Sequence, residues 1–112
     1  KKVQSDKFIS NQGTELTIVE AGGLGVITAT HSYHTVDTEG DAASDNLDTI
    51  NGGSTGQMLL ITAHDNNRTV VVKDDTGNLK LSGDCTLDSN IDSLLLMYVS
   101  SYWIEISRSN NG

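Results

Sequence analysis

Short apolar runs alternate with polar clusters along the whole chain, and Gly, Asn, Asp and Ser punctuate them. No stretch carries a helix-length stripe of apolar residues at i, i+3 and i+4, so the pattern predicts an all-β chain of short strands. In TELTIVE, Leu16 and Ile18 share one face while Thr17 and Val19 share the other, and Ala21-Gly22-Gly23 interrupts the strand. Leu24 to Val36 alternates for long enough to form one bent strand or two, with neither face purely apolar. In GQMLLITA, Met58, Leu60 and Thr62 oppose Leu59 and Ile61, which makes this run apolar on both faces and a central-strand candidate. Asp65-Asn66-Asn67 then turns the chain, and RTVVVK supplies a partner, so Met58 to Lys73 is predicted to be a hairpin.

The last third, Thr69 to Gly112, keeps the same rhythm and holds the Trp, the Cys and two of the three Tyr. Very short strands are predicted at Asn78 to Leu81 and Cys85 to Leu87. Two longer ones follow at Ser93 to Val99 and Tyr102 to Ser107, joined across Ser100-Ser101. Strands spaced about 8 to 12 residues apart predict a compact β-sandwich or barrel-like domain, or a prism-like one. GNLKLSG and DCTLDSN also read as rungs of a short β-solenoid, but their self-similarity is too slight for a true repeat.

At the other end, Val3, Phe8 and Ile9 stand in a polar setting with neither strand nor helix period. Residues 1–13 are therefore read as an extended N-terminal arm that docks through these side chains, ahead of a single β domain at 14–112.

Composition narrows the picture. A 112-residue chain is one domain and buries roughly 60–70% of the surface exposed when unfolded. Only 4% of residues are aromatic, so the core must be built from Ile, Leu and Val. A thin core of this kind favours completion by a partner subunit. Fifteen acidic against seven basic side chains give a net charge of −8, which repels phosphate backbones. The only basic cluster is Lys1, Lys2 and Lys7, and direct nucleic-acid binding is not expected. The apolar run Leu94 to Val99 is far too short to span a membrane as a helix. A single cysteine, Cys85, excludes an internal disulfide framework.

Candidate chemistry is sparse. The loop from Asp37 to Asp48 offers Asp37, Glu39, Asp41, Asp45 and Asp48, hard oxygen donors of the kind calcium takes, but their spacing departs from the twelve-residue calcium loop. A solvated loop is the expected outcome. His31 and His34 lie three apart, which puts them on opposite faces of a strand; with His64 they read as surface or interface histidines. Cys85 reads as a small buried hydrophobe. GGSTG and GNLKL lack the lysine-serine ending of a phosphate loop and are turns. Tyr98, Tyr102, Trp103 and Ile104 read as a core or subunit contact, with a sugar-stacking platform as the alternative. No catalytic residue, metal ligand or cofactor is predicted.

The stretches DTEG, LDTINGG, GQMLLI, VKDDTGNLKLSG, LLLMY and WIEISRSNNG, spread over about Tyr33 to Gly112, resemble a segment of tailed-bacteriophage virion proteins: capsid decoration proteins, fibres and tail-associated proteins. The resemblance implies a non-enzymatic structural role. With the length of the chain, it implies a decoration (cement) protein, a homotrimer on the outer capsid surface whose arm residues Val3, Phe8 and Ile9 bridge major capsid proteins. The alternative it implies is a tail fibre or tailspike module that binds a host-surface glycan.

Overall fold

The computed structural model describes residues 11–112. Among these residues, every regular element is a strand except one turn of 3-10 helix at Glu39–Asp41. The chain is all-β, but it is a β-solenoid of stacked coils rather than the expected sandwich, barrel-like or prism-like domain. What decides this is the pairing. β3 (Leu24–Thr28), β4 (Tyr33–Asp37) and β5 (Ser44–Leu47) make one three-sided coil. β6 (Thr49–Asn51), β7 (Met58–Ala63) and β8 (Thr69–Val72) make the next. Each strand pairs in parallel with its counterpart: Val26 aligns with Thr49, Tyr33 with Leu60, and Ser44 with Thr69. The offset is roughly 25 residues, inside the 20–50-residue range of solenoid repeats. A sandwich would instead join neighbouring strands in antiparallel pairs.

The predicted Met58–Lys73 hairpin is absent for the same reason. β7 lies in a six-stranded sheet and β8 in a separate three-stranded sheet, so the Asp65-Asn66-Asn67 turn is a corner between two walls. GNLKLSG and DCTLDSN are not the rungs either. β9 (Leu79–Lys80) pairs in parallel with β12 (Tyr102–Ser109), and β10 (Cys85–Leu87) pairs antiparallel with β8.

Two elements stand at the start of the stack. β1 (Leu16–Thr17) pairs in parallel with β4, and β2 (Val19–Ala21) pairs antiparallel with β3. Ahead of them, Gln12 bridges Tyr33, and Gly13 donates its N–H to the Tyr33 carbonyl at 2.7 Å. The arm residues Val3, Phe8 and Ile9 lie outside the described residues.

At the other end the chain reverses. β11 (Ser93–Val99) runs antiparallel to β7, and β12 (Tyr102–Ser109) runs antiparallel to β11. The resulting six-stranded sheet has the order β1-β4-β7-β11-β12-β9. Ser100 and Ser101, both at positive φ (55° and 70°), form the two-residue turn of this hairpin, a left-handed conformation that suits the twist of the flanking strands.

Inward side chains stack from coil to coil along all three walls: Ile27 over Ile50, Val36 over Ala63, and Leu47 over Val72. All six are buried, and they meet Leu59, Ile61, Leu94, Leu96 and Trp103 in one core. Gly25 is required where β3 closes on the following wall, because a Cβ there would collide with the Asn46 carbonyl. The junction with the reversed strands is polar. Asn78 accepts from the Ile50 N–H at 3.0 Å and donates to its carbonyl at 2.7 Å, standing in for a strand partner. The Trp103 indole donates to the same carbonyl at 3.0 Å.

Candidate functional site

Parallel stacking brings together polar residues that lie far apart in sequence. Val36 aligns with Ala63 and Thr17 with Asp37, so the residues ending β4 and following β7 emerge at one corner, where Glu15 leads into β1. Carboxylate and imidazole atoms of Glu15, Asp37 and His64 lie within 4.8 Å of one another. His64 Nε2 is 3.4 Å from Glu15 Oε1, and its Nδ1 is 3.1 Å from the Thr35 hydroxyl. Asp37 is buried, and its carboxylate is already filled. Arg68 donates from Nε to Oδ1 at 2.7 Å and from its terminal nitrogen to Oδ2 at 3.0 Å, and the Thr38 N–H donates to Oδ1 at 2.8 Å.

The guanidinium bonded to Asp37 holds that carboxyl below its usual range, with the Thr38 N–H adding to the effect against the opposing influence of burial. Arg68 is correspondingly pushed up, chiefly by the Asp37 bond. Asp65 and Asp41 flank Arg68 at 3.4 and 3.8 Å. A divalent cation would have to displace a bidentate arginine from the one buried ligand, and the positive charge of Arg68 opposes its approach. The corner fits a structural lock that ties the end of β4 to the start of β8 across two coils.

Two surface clefts lie elsewhere and do not include this corner. One, of about 260 Å³, lies between β10 and the end of β12 and is lined by Asp84, Cys85, Leu87 and Arg108 among others. Arg108 is consumed there by Glu105 and by the carbonyls of Gly83 and Asp84. The other, of about 120 Å³, is acidic, with Glu20, Asp45 and Asp48 on its walls.

The acidic loop is a set of turn-forming side chains. Asp45 accepts from the N–H groups of Glu39 and Asn46, and Asp48 accepts from the Gly25 N–H at 2.8 Å. The histidines separate. His34, expected at a surface or interface, is fully buried. Its Nε2 accepts from the N–H groups of Thr30 and His31 at 3.0 and 3.1 Å, so the ring proton sits on Nδ1 and is donated to the Thr14 carbonyl at 2.7 Å. Cys85 is a buried free thiol, and burial pushes its pKa up.

The four C-terminal candidates point different ways. Trp103 is in the core, and Tyr98 packs against it with ring centroids 5.0 Å apart. Tyr102 is exposed beneath the Lys80 ammonium, 5.0 Å from the ring centroid. Ile104 lies beside Met97 on the outside of the six-stranded sheet. The Glu15–Asp37–His64 corner went unseen in the sequence. Its only linear signal is the separation of Asp37 and His64 by one coil, which has meaning only once the coil length is known.

No protein-family model matches the chain, and no match was found among curated proteins or among solved structures.

Proposed function

We propose that this chain is a non-enzymatic structural module of a virion appendage, a fibre or tailspike, in which it serves as a stiff segment with a closed end. The observation that carries the reading is the directionality of the stack. Coils pair in parallel through β8, and then β10, β11 and β12 turn antiparallel and cover the last coil. A solenoid extends length by repetition, each coil contacting only its neighbours, and it needs a cap wherever repetition stops. The virion setting rests on the resemblance of the Tyr33–Gly112 segment. A glycan platform is not favoured, because Tyr98 packs against the core and Tyr102 is the only exposed Tyr, Trp or Phe ring among the described residues.

The capsid-decoration reading shares the same setting and depends on Val3, Phe8 and Ile9, which lie outside the described residues. Cryo-electron microscopy of the particle that carries this chain separates the two. Density for the β11–β12 cap at the far end of an appendage supports the proposal. Density repeated over the shell, in contact with the major capsid protein, replaces it with decoration. A soluble chain absent from particles removes both.

A further inference from the structure

His34 is the one fully buried histidine among the described residues, and the structural role proposed above makes no use of it. It faces inward from β4, in a row that continues with Ile61 and Leu94. Its ring holds the segment that leads into the stack. Nδ1 donates to the Thr14 carbonyl, Nε2 accepts from the Thr30 and His31 N–H groups, and the Gly13 backbone lies so close that a Cβ there would collide with the ring. The rest of the attachment of residues 11–17 is thin. Asn11 and Gly13 bond to Ser32 and Tyr33, the two residues of β1 pair with β4, and Leu16 is the only large apolar side chain. A segment with so few buried apolar contacts is one that opens locally.

The hold works only for a neutral ring. A second proton would go on Nε2, where two N–H groups already point, and would put a charge into an apolar row. The titratable groups of the surrounding elements supply no counter-charge. Glu15, beside Thr14, is paired with His64. On β4, Tyr33 is bonded to Thr62 and Asp37 to Arg68. The residues in register on β7 and β11 are apolar, and His31, with ring centroids 5.8 Å apart, is itself a base.

We propose that His34 is an acid-released latch, whose protonation frees residues 11–17 from the stack. β1 is the edge strand of the six-stranded sheet, so its departure bares the backbone of β4 as a new edge open to another strand. Once the segment has left, the ring meets water and titrates as an ordinary histidine does, at about 6.5. Opening therefore takes up a proton and is favoured as pH falls through that value, while the closed form is favoured above it.

The test is amide hydrogen exchange of the full chain from pH 7.5 to pH 5, read as protection factors, which remove the intrinsic pH dependence of exchange. Protection of the Gly13, Thr30 and His31 amides should fall by about 30-fold over this range, as uptake of one proton on opening requires. Protection of the Trp103 amide, bonded to Asn78 at the far end, should not change. His34→Gln keeps an acceptor for the two N–H groups and has no proton to gain, so the fall should vanish. In His31→Gln and His64→Gln, which retain His34, it should persist. If circular dichroism shows that His34→Gln is unfolded, nitrogen-15 spectra of the wild-type ring carry the test: at pH 5 the closed form should hold its single proton on Nδ1. Protection that does not change with pH in wild type overturns the proposal. So does a fall that survives His34→Gln or is lost in either control, and so does a doubly protonated His34 ring while Gly13 stays protected.

Discussion

The stacked coils and the antiparallel cap solve the same problem with opposite economies. In the coils, strands of three to six residues pair with partners about 25 residues away, so each wall is held by contacts the chain must travel far to make. In the cap, β11 has seven residues and β12 has eight, and they pair across a two-residue turn. The cap is a local hairpin with a long ladder; the coils are short ladders that need one another. The cap is thus the part able to hold the stack closed, and its junction with the coils at Trp103 and Asn78 is where the two regions depend on each other.

Breaking that junction should have the largest effect. Trp103→Ala removes a fully buried side chain and its bond to the Ile50 carbonyl, and should cost about 3–5 kcal/mol in urea denaturation. A cost below about 1 kcal/mol would mean that the coils do not need the cap.

Arg68→Met tests the coil side alone and should lower Tm at neutral pH by less than Trp103→Ala does, because it leaves the buried Asp37 without its partner. Its signature is in the pH dependence. The bonded guanidinium lowers the Asp37 pKa below 3.8, so the folded chain binds fewer protons there than the unfolded chain. The stabilisation is complete above the unfolded value and is lost as pH falls through the lower folded value. Tm measured from pH 7 down to pH 2 should therefore fall more steeply in wild type than in Arg68→Met; parallel curves would refute the lock.

Asn78→Ala should cost about 1–3 kcal/mol, since it leaves the Ile50 N–H without its partner. The smallest effect belongs to the cap turn. Replacing Ser100-Ser101 with Asn-Gly, which adopts positive φ readily, should stabilise by about 0.5–1 kcal/mol. Amide hydrogen exchange should show the gain in β11 and β12, and a gain confined to the coils would contradict the division.

What was legible beforehand follows the same line. The Ser93–Val99 and Tyr102–Ser107 pair and its Ser100-Ser101 turn were readable, because a hairpin declares itself through neighbouring residues. Met58–Lys73 looked equally like a hairpin and is not one. A turn such as Asp65-Asn66-Asn67 serves a hairpin or a solenoid corner alike, and the choice is made by where the next strand finds an edge. The burial of His34 was hidden because its partners, Thr14, Thr30 and His31, are backbone groups that carry no residue signal.

By itself, the sequence determined that the chain is built of short strands, that its core is aliphatic, and that no familiar reactive motif is present. Alternation and turn chemistry are local and survive without knowledge of partners. Only the tertiary structure decided that the strands stack in parallel coils, that Asp37 and His64 share a corner, and that Leu60, Leu95 and Met97 lie on the outside of one sheet. Those facts depend on register between residues a full coil apart, and alternation of period two is the same whichever strand lies alongside.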